Sequence, residues 1–303
     1  LKGGRVGGGA GGGWRGGGGQ RGGQGANGSA STGVATDGSR ISTASTESAS
    51  AVVLRAGEEL VGVVTYYICD DEEQDDSLRG GQGQVYKAYC ESASGRSGDF
   101  AVKRPVDPAR VKGLAREAQV YFNIDPSKAL HLAFLNDVLN HKGMPLLVME
   151  WADGGSVKEW LQPQPSERSL AQALGFGIQV ARGLISLHEI LKMVHQDLKP
   201  ANVLRYGVLL KIADFGLCCS AGSADDTDES SLAQVKRVHG GTRGYMAPEQ
   251  VVLMGRGRET EETGVEEPGP ACDMWAFGLL VGLMVGGEVA AAVSTYLQQV
   301  HAG

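Results

Sequence analysis

The stretch MVHQDLKPANVL, residues 193–204, collects an acid, a lysine and an amide between apolar flanks. Asp197 can orient an attacking hydroxyl and accept its proton, while Lys199 can neutralise charge on a group in transfer. Asn202 offers an amide oxygen to a metal ion, and Asp214 in the following ADFG stretch offers a carboxylate of the kind that bridges Mg²⁺. Together these residue types fit the transfer of a phosphoryl group.

Three further signals precede this loop. A glycine-rich turn before Val85 lets backbone N–H groups close over phosphate oxygens, and its glycines are Gly80, Gly81 and Gly83. Lys103 ends the strand-like FAVK and can reach toward phosphate, and Glu117, one short helix later, is suited to pair with it. Taken singly, the turn is typical of a hairpin, the lysine of a surface and the glutamate of a solvated helix. Their fixed order favours a joint role.

The motifs continue with GTRGYMAPE at 241–249 and DMWAFG at 273–278. In this order, over about residues 60–290, they resemble the signature set of the eukaryotic protein kinases. The resemblance implies a two-lobed α+β fold, ATP and Mg²⁺ as cofactors, and transfer of the γ-phosphoryl group to a protein substrate. Lys199 followed by Pro200, together with GTRGY, implies serine/threonine specificity, in which Thr242 contacts the catalytic loop.

The resemblance also implies a role for each matching residue. Asp197 matches the catalytic base, assisted by Lys199, and the metal ligands are Asn202 and Asp214. Lys103 and Glu117 match the pair that holds the nucleotide phosphates, beneath the turn glycines. The adenine pocket is implied at Val85, Ala101 and Leu204 around the base, Met149 at the back, and Glu150, Trp151 and Ala152 in the hinge.

The apolar patterning agrees with an α+β layout in which strands dominate the first half and helices the second. It predicts strands at 60–68, 85–90, 99–105 and 145–151, and a helix around 111–124. A second helix is predicted at 169–190, with one apolar face formed by Leu170, Leu174, Ile178, Ala181 and Ile185. We therefore expect a small, mainly β lobe at 57–150 and a mainly helical, partial lobe at 151–303.

Residues 1–56 have no apolar periodicity and are predicted to be a disordered tail rich in glycine and serine. Arg15 and Arg21 begin Arg-Gly-Gly steps, which occur in RNA-binding segments, but so few arginines neutralise little phosphate charge. The net charge of −7 also argues against a general nucleic-acid-binding surface. Salt-dependent retention of RNA by this tail alone would support the opposite view.

The cysteine pattern and the apolar runs indicate a cytoplasmic or nuclear location. The five cysteines are odd in number and lack metal-ligand spacing, which fits a reducing compartment. The most apolar stretch, 274–293, is predicted to be a buried helix and no membrane span, because Asp273 and Glu288 bracket only a short uncharged run.

The chain departs from the kinase pattern at several points. Leu78 stands where the first loop glycine is expected, and the acidic run DDEEQDDS stands where the first strand should lie. Gln196 replaces an arginine that pairs with a phosphorylated activation segment, so we expect activity without that modification. Helices that complete the second lobe in relatives are not recognised, which predicts uncovered apolar surface near 274–293. The alternative is a pseudokinase, a nucleotide-binding scaffold or an inactive fragment.

Overall fold

The β-branched and aromatic residues between 59 and 150 form one antiparallel sheet. A computed structural model of the chain describes residues 54–70, 83–162, 169–221, 240–256 and 268–302. The sheet has the strand order β1-β2-β3-β4-β6-β5. Its strands are β1 Glu59–Val61, β2 Thr65–Ile68, β3 Gln84–Ser92, β4 Gly95–Arg104, β5 Leu135–His141 and β6 Met144–Glu150. Leu54, inside the range predicted as tail, is buried with the apolar residues of this sheet; residues 1–53 lie outside the described part.

The predicted single strand at 60–68 is wrong, because the chain reverses within it. β1 and β2 pair antiparallel with each other, with Val61 opposite Thr65. The N–H group of Val63 donates to Asp137 Oδ2 at 2.6 Å, and Val63 is 70% exposed. Valine-rich composition reports strand propensity but not the position of a turn, which is fixed here by a carboxylate far along the chain.

The buried strand predicted at 145–151 is confirmed as β6, which lies between β4 and β5. Leu146, Leu147 and Val148 have no exposed surface, since neighbouring strands flank β6 and apolar side chains cover both faces. Helix α1, Val111–Phe122, contacts β5 and β6 and buries Leu114, Glu117, Ala118 and Tyr121 at the predicted helical spacing. The predicted α+β architecture is therefore confirmed.

The second half of the chain is mainly helical, with two small antiparallel strand pairs. The pairs are β7 Met193–Val194 with β10 Cys219–Ser220, and β8 Val203–Tyr206 with β9 Leu209–Ile212. The helices are α2 Val157–Trp160, α3 Leu170–Ile185, α4 Pro248–Arg256, α5 Pro270–Val285 and α6 Gly287–Ala302. The π-helical turn Ser186–Ile190 continues α3.

The apolar face predicted for α3 is not the face that packs against the core. Leu170, Leu174, Ile178 and Ile185 are all at least half exposed, at 50–58%. The helix instead buries Ala173, Phe176, Gly177, Val180, Gly183 and Leu184. Small residues let neighbouring backbone approach closely but add little hydrophobicity, so the apolar pattern favoured the outer face.

The apolar run 274–293 forms two helices and not the single one predicted. Gly286 and Gly287 adopt φ of +83° and +62°, a left-handed region that ends α5 before α6 begins. Within α5, Ala276, Leu280 and Met284 are buried, while Met274 and Trp275 are 50% and 40% exposed.

Among the residues that the structure describes, one helical stretch, Leu170–Ile190, has the length and apolar composition of a bilayer span. The helix α3 within it packs against α5 and β9, and Phe176, Val180 and Leu184 belong to the main apolar core. The stretch therefore has the contacts of a core helix. All five cysteines of the chain lie in the described part and are buried, and no disulfide joins any two of them.

The close packing of α3 can be tested at its glycines. A Cβ atom at Gly183 would lie 2.8 Å from the His131 carbonyl oxygen and 2.9 Å from Ile212 Cδ1, whereas one at Gly175 would meet nothing within 4 Å. We expect Gly183→Ala to lower the free energy of unfolding by about 1–3 kcal/mol because backbone and core must move. Gly175→Ala in the same helix should raise it by about 0.5–1 kcal/mol. Urea denaturation measures both, and equal effects would contradict this packing.

Candidate active site

A buried lysine between two carboxylates forms the centre of the site. Lys103 Nζ lies 2.8 Å from both carboxylate oxygens of Glu117 and 2.9 Å from Asp214 Oδ1. Lys103 is the next-to-last residue of β4, Glu117 lies on the buried face of α1, and Asp214 follows β9. The structure thus brings together the predicted phosphate-binding pair and one predicted metal ligand.

The electrostatics of this cluster favour a charged lysine. Burial acts to lower the pKa of Lys103, but the carboxylates of Asp214 and Glu117 outweigh it and raise that pKa. Burial also raises the pKa of Glu117 to about 7, an effect that Lys103 only partly offsets. For Asp214, burial is outweighed by Lys103, and the pKa is lowered. Lys103 is therefore a cation and Asp214 an anion at neutral pH.

The Asp-Phe-Gly stretch is oriented by its aromatic residue. Phe215 has no exposed surface, and its ring lies 4.9 Å from that of Tyr121 on α1 and 5.7 Å from that of His195. Asp214 adopts φ of +65°, a left-handed conformation that is uncommon outside glycine. With Phe215 anchored beneath α1, the Asp214 carboxylate is directed to Lys103.

Around this cluster, the structure describes most of the residues predicted to line the nucleotide pocket. Val85 pairs with Lys103 across β3 and β4, and Ala101 pairs with Met149 across β4 and β6. A Cβ atom at Gly83 would lie 2.9 Å from the Arg104 carbonyl oxygen, so this position requires glycine. Gly80, Gly81 and Leu78 lie outside the described residues, as does most of the acidic run.

The hinge is tied to the helical half by a residue that sequence reasoning missed. Lys211 on β9 is 6% exposed and donates to Glu150 Oε2 at 2.8 Å. Its ammonium also lies 4.6 Å from the Phe134 ring centroid and 4.4 Å from that of Tyr206. The predicted hinge residues Trp151 and Ala152 follow directly, and Leu204 packs against the main core.

The catalytic-loop acid is held by the residues predicted to surround it. Asp197 is 4% exposed and accepts from Lys199 Nζ and from the Thr242 N–H group, both at 2.7 Å. Lys199 also donates to Thr242 Oγ1 at 2.7 Å, which is the contact that the kinase resemblance implied. Asn202 Nδ2 donates to the Asp197 carbonyl oxygen at 2.8 Å, so its amide oxygen is directed away from that bond.

Asp273 fixes the backbone of the catalytic loop. This residue begins the DMWAFG motif, to which the sequence analysis assigned no role. Its carboxylate is almost fully buried in the first turn of α5. It accepts from the N–H groups of His195 and Gln196 at 2.7 and 2.8 Å and lies 2.8 Å from His188 Nε2. A buried carboxylate needs such donors, so α5 and the loop determine each other's position.

Gln196 makes uncharged contacts where the kinase pattern has arginine. It is 5% exposed, and its Nε2 atom donates to the Leu217 carbonyl oxygen at 2.8 Å. Its own carbonyl oxygen accepts from Gln250 Nε2 at 2.9 Å. Sequence reasoning missed Gln250, because neither its position nor its type signals a bond to a backbone atom so far along the chain.

The donor set fits a magnesium ion that also uses ligand phosphates. Mg²⁺ is usually bound by one or two carboxylates together with phosphate oxygens and water. Asp214 and Asn202 supply oxygen donors of this kind. Across the described ranges, the structure contains no cluster of three or more His, Cys, Asp or Glu side chains that could hold a metal ion without such help.

Comparisons with known proteins agree with this geometry. A family model described as protein kinase domain matches residues 78–301. Mitogen-activated protein kinase kinase 9 of Arabidopsis thaliana is 31% identical over 251 residues, which are 82% of this chain and 71% of that protein. Mitogen-activated protein kinase kinase 7 of the same plant is 31% identical over 206 residues, 67% of this chain and 59% of that protein.

A bacterial relative shows the same similarity at lower coverage of its length. Serine/threonine-protein kinase A of Synechocystis is 28% identical over 223 residues, which are 69% of this chain and 39% of that protein. The chain thus spans less than two thirds of two of these three relatives. The prediction of a serine/threonine protein kinase is confirmed, and the chain belongs to the protein kinase family.

Proposed function

We propose that this chain itself transfers the γ-phosphoryl group of Mg²⁺-ATP to a serine or threonine hydroxyl of a protein. The observation that supports the proposal most strongly is the bonding of Lys103 to both Glu117 and Asp214. It sets a phosphate-binding cation beside a metal-binding carboxylate while Asp197 is held separately by Lys199 and Thr242. Those are the parts that phosphoryl transfer requires.

In this proposal the nucleotide lies between the sheet and the helical half. Lys103, positioned by Glu117, holds the phosphates, and the glycine-rich turn, of which the structure describes Gly83, is proposed to cover them. The adenine ring lies against Val85, Ala101, Met149 and Leu204 and bonds to the hinge backbone at Glu150 and Ala152. The Lys211–Glu150 ion pair holds the Glu150 side chain of this hinge.

Asp214 and Asn202 would hold the magnesium ion, which neutralises phosphate charge when bound. Asp197 orients the substrate hydroxyl and accepts its proton, because a carboxylate within hydrogen-bond reach of that hydroxyl can act as a general base. Lys199, which already donates to Asp197 and Thr242, lies beside the base and stabilises negative charge on the group in transfer. Positioning and electrostatics thus supply the catalysis.

Phosphoryl transfer by the parent chain and by single variants tests this proposal. With labelled Mg²⁺-ATP and a generic basic protein substrate, Asp197→Ala should lower the rate by about 10²–10⁴ because the general base is lost. Asp214→Asn should also abolish detectable transfer, since it removes a metal-binding charge. Asp70→Ala, at an exposed aspartate, is the matched control and should retain the parent rate.

The alternative, a nucleotide-binding scaffold, gives a different result in the same experiment. No transfer by the parent, combined with a higher melting temperature in the presence of Mg²⁺-ATP, would replace the proposed function by that alternative. Absence of both transfer and thermal protection would contradict nucleotide binding as well.

We further propose that activity does not require phosphorylation of the segment between Asp214 and Glu249. Gln196 cannot pair with a phosphate as an arginine does, and its amide is already bonded to Leu217. Ser220 is the described candidate for modification; the other four lie outside the described residues. The five candidates are Ser220, Ser223, Thr227, Ser230 and Ser231.

Changing all five residues to alanine should leave the transfer rate within about threefold of the parent, because no charge-assisted bond to Gln196 is lost. Steady-state rates before and after phosphatase treatment of the parent provide the control, and they should agree equally well. A fall of about 10²-fold or more in either comparison would show that phosphorylation is required after all.

A further inference from the structure

The peptide group that joins Gln196 to Asp197 is held on both of its edges. Its carbonyl oxygen accepts from Gln250 Nε2 at 2.9 Å, and its N–H group lies 3.3 Å from His195 Nδ1. This peptide immediately precedes the carboxylate proposed as the base. Rotation of the peptide plane would therefore move the Asp197 side chain.

The peptide plane lies in an orientation that the backbone does not favour by itself. Gln196 has φ of +66°, in the left-handed region that side chains with a Cβ atom rarely adopt. Such conformations persist where surrounding contacts hold them. Here the N–H group of Gln196 is held by Asp273 and its carbonyl oxygen by Gln250.

The orientation of the Gln250 side chain follows from its partners. Gln250 is 4% exposed and is the third residue of α4. Its Oε1 atom accepts from the Ala247 N–H group at 2.9 Å, as an N3 glutamine does at the start of a helix. Because Ala247 N can only donate, Oε1 must face it, and the Nε2 donor is left to face the Gln196 carbonyl oxygen.

We infer that Gln250 is a positioning residue for Asp197: through its Nε2 donor it holds the Gln196–Asp197 peptide and so aligns the base. The inference rests on the proposed function. It connects the first turn of α4, which begins within the Ala-Pro-Glu stretch, to the catalytic loop by a neutral bond. The N–H group of Thr242, near the start of GTRGYMAPE, donates directly to the Asp197 carboxylate. The chain from Thr242 to Gln250 thus contacts both the side chain of Asp197 and the peptide group that precedes it.

Two substitutions separate this role from simple helix capping. Gln250→Glu keeps an oxygen for the Ala247 N–H group but presents no donor to Gln196, because a carboxylate only accepts. Gln250→Met has similar length and no charge, and it loses both bonds. The loss of the Nε2 donor is the defect that the two variants share, whereas only the methionine variant loses the cap.

We expect kcat to fall about tenfold in both variants, since a buried carbonyl oxygen loses its donor, while KM for ATP changes by less than about twofold. The melting temperature should fall for Gln250→Met, which loses the cap, and also for Gln250→Glu, which buries a carboxylate opposite a carbonyl oxygen. The kcat of Gln250→Glu, and not its stability, therefore separates the two roles. If Gln250→Glu retains the parent kcat and only Gln250→Met loses activity, Gln250 is a helix cap and the inference is wrong.

Hydrogen exchange of the peptide covering residues 193–204 provides a second readout that does not depend on catalysis. Both variants should exchange faster there than the parent, and residues 111–122 on α1 should be unchanged. Unaltered exchange in 193–204 would overturn the inference. An inactive parent would refute the proposed function separately, and the exchange result would still decide whether Gln250 holds the loop.

Discussion

A buried ammonium bonded to two carboxylates is the interaction on which the geometry of this kinase site depends. Each buried ion loses several kcal/mol of hydration, which is recovered only when oppositely charged partners lie at bonding distance. Lys103, Glu117 and Asp214 come from β4, α1 and the turn after β9, so those three elements must converge. The packing of Phe215 beneath α1 favours the same convergence through apolar contacts. Moving α1 away would leave an uncompensated charge and expose an aromatic core residue together.

The buried carboxylate of Asp273 positions the catalytic loop, just as Lys103 positions the elements around the cleft. Asp273 obtains its hydrogen bonds from two loop N–H groups and from His188, so the loop conformation and the position of α5 are coupled. That coupling explains why Gln196 can keep a left-handed backbone. The proposed base, Asp197, is consequently positioned by two sets of contacts. Asp273 of α5 holds the loop backbone that precedes it, and the Thr242 N–H group donates to its carboxylate.

Sequence reasoning identified the chemistry of the site better than the packing around it. Motif order and residue type were enough for the pairing of Lys103 with Glu117, whose side chains are chemically complementary, and the kinase resemblance implied that Thr242 contacts the catalytic loop. The buried face of α3 was missed because Gly183 permits close packing but adds no apolar side chain to the sequence pattern. Asp273 and Gln250 were missed for another reason. Both side chains bond to backbone atoms of the loop, and because every residue type carries such atoms, the sequence does not mark them as partners.

The uncharged contacts of Gln196 change where control of the enzyme can act. An arginine at this position gains a partner only when the segment is phosphorylated, whereas an amide has its partners as soon as the chain folds. Gln196 meets Leu217 at the start of the segment, and Gln250 near its end meets the Gln196 carbonyl oxygen. Both ends are therefore fixed to the loop without an added charge. If the base is already aligned in this way, modification of the intervening residues is not needed to assemble it.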